Sequence, residues 1–213
     1  GQDMELSSAS DRGVLYAAYD LLRRQQTGDL LSDGAVVTEM PSYDIRILNH
    51  WDNPDGTVER GYAGRSIWKW DELPETVSPL YKEYARTNAS VGINAVVLNN
   101  VNAKPQMLST GMLRKVAVIA DVLRPYGIRT YLSVNFASPK ALGELPTADL
   151  LDADVQRWWK KKTKEIYRLI PDFGGFLVKA NSEGEPGPQD YGRTHADGAN
   201  MLAGILAPHG GVV

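Results

Sequence analysis

The chain has 213 residues, with 26 acidic and 23 basic side chains, three histidines and a formal charge of −3. That length fits one large domain or one and a fraction, and the acidic balance offers no surplus of Lys and Arg for a phosphate backbone, which argues against nucleic acid. No run approaches the ~20 apolar residues of a membrane span, and the lack of cysteine excludes disulfides, zinc thiolates and cysteine nucleophiles while leaving the compartment undetermined.

The opening Gly1-Gln2-Asp3-Met4-Glu5 has neither an initiator Met nor a basic and then apolar stretch. No secretory signal is expected from it, and the natural start is expected upstream. Helical spacing of Val14, Leu15, Ala18, Leu21 and Leu22 predicts a helix over 11–26, stopped by Gly28. Short apolar runs then read as strands at 43–49, 95–99, 129–134 and 175–179, and Gly211-Val212-Val213 reads as the start of a fifth. Helical faces lie between them. Leu73, Val77, Leu80, Tyr81 and Tyr84 mark the first; Leu108, Met112, Leu113, Val116, Ile119, Ala120 and Leu123 mark the second, ended by Pro125 and Gly127. Val155, Trp158, Trp159, Ile166 and Leu169 mark the third, with Lys160, Lys161, Lys162 and Lys164 mostly on its wet side. Thr194 and Asp197 fit a capping box that opens a last helix.

Alternating strands and helices imply a parallel α/β sheet, either doubly wound or a (β/α)8 barrel. No G-x-G-x-x-G follows the first strand. Polar residues crowd the strand ends at Asn49–Asn53, Asn99-Asn100, Asn135 and Lys179–Glu183, where barrel enzymes place their chemistry, so the barrel is favoured. The mean strand spacing of about 42 residues would carry eight units well beyond this length, so about four βα units, half a barrel, are expected. The chain therefore reads as part of a longer protein, cut as the fifth strand begins. Half a barrel leaves sheet edges and an inner apolar face open.

The segment Lys179-Ala180-Asn181-Ser182-Glu183-Gly184-Glu185-Pro186-Gly187-Pro188 follows a buried strand. Glu183 offers a carboxyl that burial can keep protonated as a general acid, and Lys179 offers a fixed positive charge. Glu185 is the rival acid, further from the strand. Asn49-His50-Trp51-Asp52-Asn53 places an aromatic beside amides and an acid, which suits the stacking and hydrogen bonding of a sugar. The competing reading of Trp51 is core packing, and Asn53-Pro54-Asp55-Gly56 reads as a β-turn. His50, His195 and His209 have no metal-ligand spacing, so no metal or cofactor is expected. His195 either faces the site or caps a helix, and His209 reads as surface. Asp172-Phe173-Gly174 lacks the kinase motifs that would give it meaning and reads as a turn. The sequon Asn88-Ala89-Ser90 falls inside a helix.

Long strings resemble the α-glucuronidases of glycoside hydrolase family 67. They are Leu48–Asn53, Asp55–Gly64, Gly92–Asn94, Val97–Ala103, Arg124–Ile128 and above all Ile170–Ala203. The resemblance runs from about Asp11 onward. It implies a (β/α)8 catalytic domain, here residues 41–213, behind a smaller N-terminal α/β domain of which 1–40 would be the tail. A helical C-terminal region, through which members often dimerise, would follow the barrel. It implies removal, with inversion, of glucuronic acid or its 4-O-methyl form α-1,2-linked to short xylo-oligosaccharides. By resemblance Glu183 is the general acid, Lys179 binds the uronate carboxylate, Trp51 walls the sugar and Val101 lies near the 4-O-methyl group; Asn49 and Asn100 are lesser candidates for hydroxyl bonding. Lys179 would oppose the raised pKa that Glu183 needs, so burial must outweigh it. Pro54 and Glu185 stand where relatives are expected to carry Leu and Gln. The family's two catalytic bases, and an Arg that helps hold the uronate, would lie beyond Val213. The isolated chain is therefore expected to hydrolyse nothing. The alternatives are a non-catalytic uronate- or xylan-binding half barrel and an inactive fragment.

Overall fold

The computed structural model describes residues 4–181 and 184–213. Four parallel strands form one sheet in the order β1-β2-β3-β4: β1 is Ile47–Asn49, β2 Ala95–Val97, β3 Arg129–Val134 and β4 Gly175–Val178. Among the described residues six α-helices accompany them: α1 Asp11–Thr27, α2 Pro79–Ser90, α3 Thr110–Leu123, α4 Ser138–Gly143, α5 Ala153–Leu169 and α6 His195–Leu206. Spatial order equals chain order, with no reversal of the kind that defines a doubly wound sheet.

One face of the sheet carries the main core. Val96, Leu98, Leu132, Val134 and Phe176 pack in a single buried cluster with Tyr81 and Ala85 of α2, Leu113 and Val116 of α3, Trp159 and Ile166 of α5, and Leu202 of α6. The other face carries a small cluster of Ala95, Val97, Tyr131 and Leu177. There Ile45, Ile47, Phe136, His195 and Val213 help line an apolar concavity of about 570 Å³.

Local chemistry fixes the element boundaries. Ser10 caps α1 through its hydroxyl, and Gly28 in the left-handed region (φ 75°) ends it. Thr194 and Asp197 form the expected capping box of α6. Arg124-Pro125-Tyr126 tightens to a 3₁₀ turn and Gly127 closes it at φ 68°. Lys160, Lys161 and Lys164 are exposed on α5, whereas Lys162 is half-buried against Glu165 (2.8 Å) and the Trp158 ring.

Several boundaries differ from the sequence reading: β2 and β4 end at Val97 and Val178, short of 99 and 179, the short helix α4 is not expected from it, and two larger differences have clear causes. The first strand is shorter than 43–49. The backbone before it keeps one main-chain bond, Asn94 N–H to the Arg46 carbonyl (3.1 Å), and is otherwise tied by a side chain: Asn94 Oδ1 accepts from the Arg46 N–H (2.8 Å) and Asn94 Nδ2 donates to the Asp44 carbonyl (2.7 Å). The second helix begins at Pro79, where Ser78 caps it, so Leu73 and Val77 lie outside it. Its buried face is Tyr81, Ala85 and Ala89, and Leu80 is exposed. Leu73 is buried nonetheless, among Trp68, Trp70 and Tyr81 of the main core.

Val212 makes a parallel bridge to Gly175, with Phe176 N–H donating to the Val212 carbonyl (3.0 Å) and Val212 N–H to the Gly174 carbonyl (3.0 Å). The two glycines make this approach possible. A Cβ on Gly174 would lie 2.1 Å from the Tyr131 ring, and one on Gly175 (φ 136°) 1.9 Å from the Val212 carbonyl oxygen. His209 is exposed, as expected, and stacks on Tyr167 at 4.1 Å.

Candidate functional site

The loops at the carboxyl ends of the strands build the candidate site. Asn49 is the last residue of β1 and is exposed. Trp51, two residues on, is 40% exposed, so its indole is presented to solvent and the core reading is wrong for it. The backbone around it is held firmly. His50 N–H donates to the Val97 carbonyl (3.0 Å), Glu59 N–H to the Trp51 carbonyl (2.8 Å) and Asn100 N–H to the Asp52 carbonyl (2.8 Å). The expected turn is present, with Gly56 N–H bonded to the Asn53 carbonyl (3.0 Å). Asp55 accepts from the Thr57 hydroxyl and N–H, and these bonds hold its carboxyl below the usual range.

Asn100 is buried, and its amide is engaged at both ends. Nδ2 donates to the Glu59 carbonyl (3.1 Å) and Oδ1 accepts from the Asn102 N–H (3.0 Å). It therefore stitches the β1 loop to the β2 loop, where Val101 is half-buried. Asn99 is equally occupied: its amide spans to the backbone of Ser133 with 2.8 Å and 3.0 Å bonds, extending the contact of β2 with β3. Asn135 accepts from Ala137 N–H (2.8 Å) and the Ser138 hydroxyl (2.6 Å) to shape the start of α4.

Lys179 follows β4, is exposed, and its ammonium donates to Asn102 Oδ1 at 3.0 Å. That bond reaches across β3 and places the charge beside the β2 loop. Glu183, the candidate acid, lies outside the described residues, as does Ser182. Glu185 is exposed. The rest of this loop is clamped around Asp190, which sequence reading left aside, by Asn181 and His195. Asp190 Oδ2 accepts from Asn181 Nδ2 (2.8 Å) and Gly187 N–H (2.7 Å), and Asn181 Oδ1 meets His195 Nε2 (3.1 Å). His195 thus begins a helix and also lines the concavity. Arg193 makes a two-pronged pair with Asp149 (3.0 and 2.8 Å), which holds the Asp149 carboxyl below its ordinary range.

Sequence reading also passed over Glu59. Its backbone is left-handed (φ 58°), and its carbonyl accepts from both Asn53 Nδ2 (2.8 Å) and Asn100 Nδ2. Its Oε2 is buried with no hydrogen-bond partner among the described residues. No sequence signal marks this conformation; Glu59 sits inside a turn closed by Gly61 N–H to the Val58 carbonyl (3.0 Å). Among the described residues no group of His, Asp and Glu is placed to hold a metal, and no helix is long and apolar enough to cross a membrane.

Residues 25–213 match the model of the Glycosyl hydrolase family 67 middle domain. The probable alpha-glucuronidase A of Neosartorya fischeri is 50% identical over 214 residues, covering 100% of this chain and 25% of that protein. Alpha-glucuronidase A of Emericella nidulans is 47% identical over 218 residues, covering 100% of this chain and 26% of the relative. The alpha-glucuronidase of Hypocrea jecorina is 43% identical over 219 residues, again covering 100% and 26%. The chain spans about a quarter of the length of these curated relatives. With a family match over most of its length and identities of this size, the chain belongs to glycoside hydrolase family 67, within the span of the family's middle domain.

Proposed function

We propose that this chain supplies the acid-bearing part of an α-glucuronidase, which removes α-1,2-linked glucuronic acid or its 4-O-methyl form from xylo-oligosaccharides with inversion. The observation that carries the reading is the meeting of three loops. The Lys179 ammonium sits on Asn102, next to Val101, and Asn100 ties that loop to the one bearing the exposed Trp51. A fixed cation beside an aromatic surface is what a sugar carrying a carboxylate requires: charge pairing selects the uronate, and the indole stacks on the ring.

Glu183 is the general acid in this reading, delivering its proton to the leaving xylosyl oxygen. An inverting enzyme needs a second carboxylate ~6.5–9.5 Å away to hold water on the opposite face, and that base comes from outside this chain. Sequential parallel strands with their helices on one face support the first half of a (β/α)8 barrel over 41–213. Residues 1–40 would then close a preceding α/β domain, and dimerisation would use a region beyond Val213.

The test is Glu183→Gln in the full-length polypeptide, assayed on aldotriouronic acid. The expected loss of rate is roughly 10²–10⁴-fold. An unchanged rate would move the acid role to Glu185 or elsewhere. The isolated 213-residue chain should release no glucuronic acid; release would overturn the assignment of the base to the rest of the protein.

A further inference from the structure

Behind Trp51 lies a polar chain that the reaction described above does not use. Tyr84 Oη is 2.7 Å from His50 Nε2, and His50 Nδ1 is 3.1 Å from Asp52 Oδ2. The Ser66 hydroxyl is bonded to Asp52 Oδ1, and Trp68 N–H donates to Ser66 Oγ (3.0 Å). Asp52 is 4% exposed. The His50 ring also rests against Trp68 (5.2 Å) and Tyr84 (5.5 Å).

Every proton in this chain has a place. The Tyr84 hydroxyl donates to Nε2, Nδ1–H donates to one oxygen of Asp52, and Ser66 donates to the other. Burial, and then the Asp52 charge, raises the Tyr84 pKa, which keeps its hydroxyl proton available to donate. The order rules out a nucleophilic triad: the serine faces the carboxylate and not the imidazole. The groups link α2, the end of β1 and the 66–68 turn, and the two residues they grip, His50 and Asp52, flank Trp51.

We infer that His50 and Asp52, braced by Tyr84 and Ser66, are positioning residues that fix the Trp51 indole in the orientation that stacks on the sugar. The inference rests on the sugar-wall role given to Trp51 above. It assigns the network to ground-state binding, because a misplaced wall weakens contact with the substrate and leaves the proton transfers at the acid untouched. A group of this kind acts only through the residue it positions.

The experiment is a double-mutant cycle on KM for aldotriouronic acid, in the full-length polypeptide, at a temperature where each variant is folded. His50→Ala is expected to raise KM about three- to tenfold, the size of one or two hydrogen bonds lost. Its kcat should stay within about a factor of two of the parent. Trp51→Ala should raise KM at least as far, and His50→Ala added to Trp51→Ala should raise it no further. Where His50→Ala does not fold, Tyr84→Phe keeps the ring and removes only the hydroxyl, and it takes its place in the cycle. Additive effects, or a lowered melting temperature with KM unchanged, would reduce the network to a structural one and overturn the inference. If Trp51→Ala raises KM and the His50 variant does not, positioning alone fails. If Trp51→Ala leaves KM unchanged, the sugar-wall role falls and positioning falls with it.

Discussion

The loops that follow β1 and β4 carry the two halves of the proposed recognition surface, and they are held by different means. In the first, the side chains of His50, Asp52 and Ser66 are buried or half-buried, they are satisfied by one another and by Tyr84, and the His50 ring leans on the Trp68 and Tyr84 rings. Between Lys179 and His195 the clamp is made by Asn181, Asp190 and His195, all exposed. Water can replace the exposed side chains of the second clamp at little cost, while in the first an orphaned group stays dry and unpaired. The apolar wall is therefore preset by dry contacts, whereas the clamp of Asn181, Asp190 and His195 stands in contact with water.

The same substitution made in both loops should expose this difference. Asp52→Ala strands the His50 Nδ1–H and the Ser66 hydroxyl, and is expected to lower the local stability of 50–68 by about 3 kcal/mol. Asp190→Ala, at an exposed position, should cost under about 1 kcal/mol. Hydrogen exchange of the Trp68 and Asn100 amides against that of Gly187 measures both. Equal losses would break the comparison.

A smaller effect is expected at the root of the second loop. Gly175→Ala places a Cβ against the Val212 carbonyl at a backbone angle that L side chains rarely adopt, and should cost about 1–3 kcal/mol. The Phe176 amide, whose acceptor is Val212, should then exchange faster while the Leu98 amide does not change.

The smallest effect concerns acid. Arg193 depresses the Asp149 pKa in the folded chain, so the pair stabilises above the unfolded carboxyl value of about 3.9. That contribution is lost as pH falls through the lower folded value. Arg193→Gln should remove this acid sensitivity from the protease resistance of 188–195 and leave resistance at pH 7 only slightly reduced, as expected for a half-exposed pair.

Short apolar runs located all four strands, because this parallel sheet carries apolar residues on both faces, Val96 and Leu98 toward the helices and Ala95 and Val97 toward the smaller cluster. Periodicity misplaced the start of α2, since Leu73 and Val77 mimic a helical face while Ser78-Pro79 sets the true boundary. The crowding of polar residues at strand ends was legible, but its meaning was mixed. Asn99 and Asn135 serve the backbone of their neighbours, Asn100 serves two loops, and Trp51 faces solvent. An asparagine's amide bonds equally well to a sugar and to a peptide group, so only geometry tells these uses apart. His50 with Asp52 was hidden for a related reason: their partners Tyr84 and Ser66 come from other parts of the chain, a pairing that no local pattern encodes.

The coincidence of spatial and chain order in the sheet has a consequence for how the molecule is made. Each parallel pair joins segments about 40 residues apart, a length the ribosome delivers in roughly 2–8 s. Helices and short loops form far faster than that. Each of β2, β3 and β4 therefore emerges to find its earlier neighbour already waiting with its covering helix, and these four strands assemble at one advancing edge.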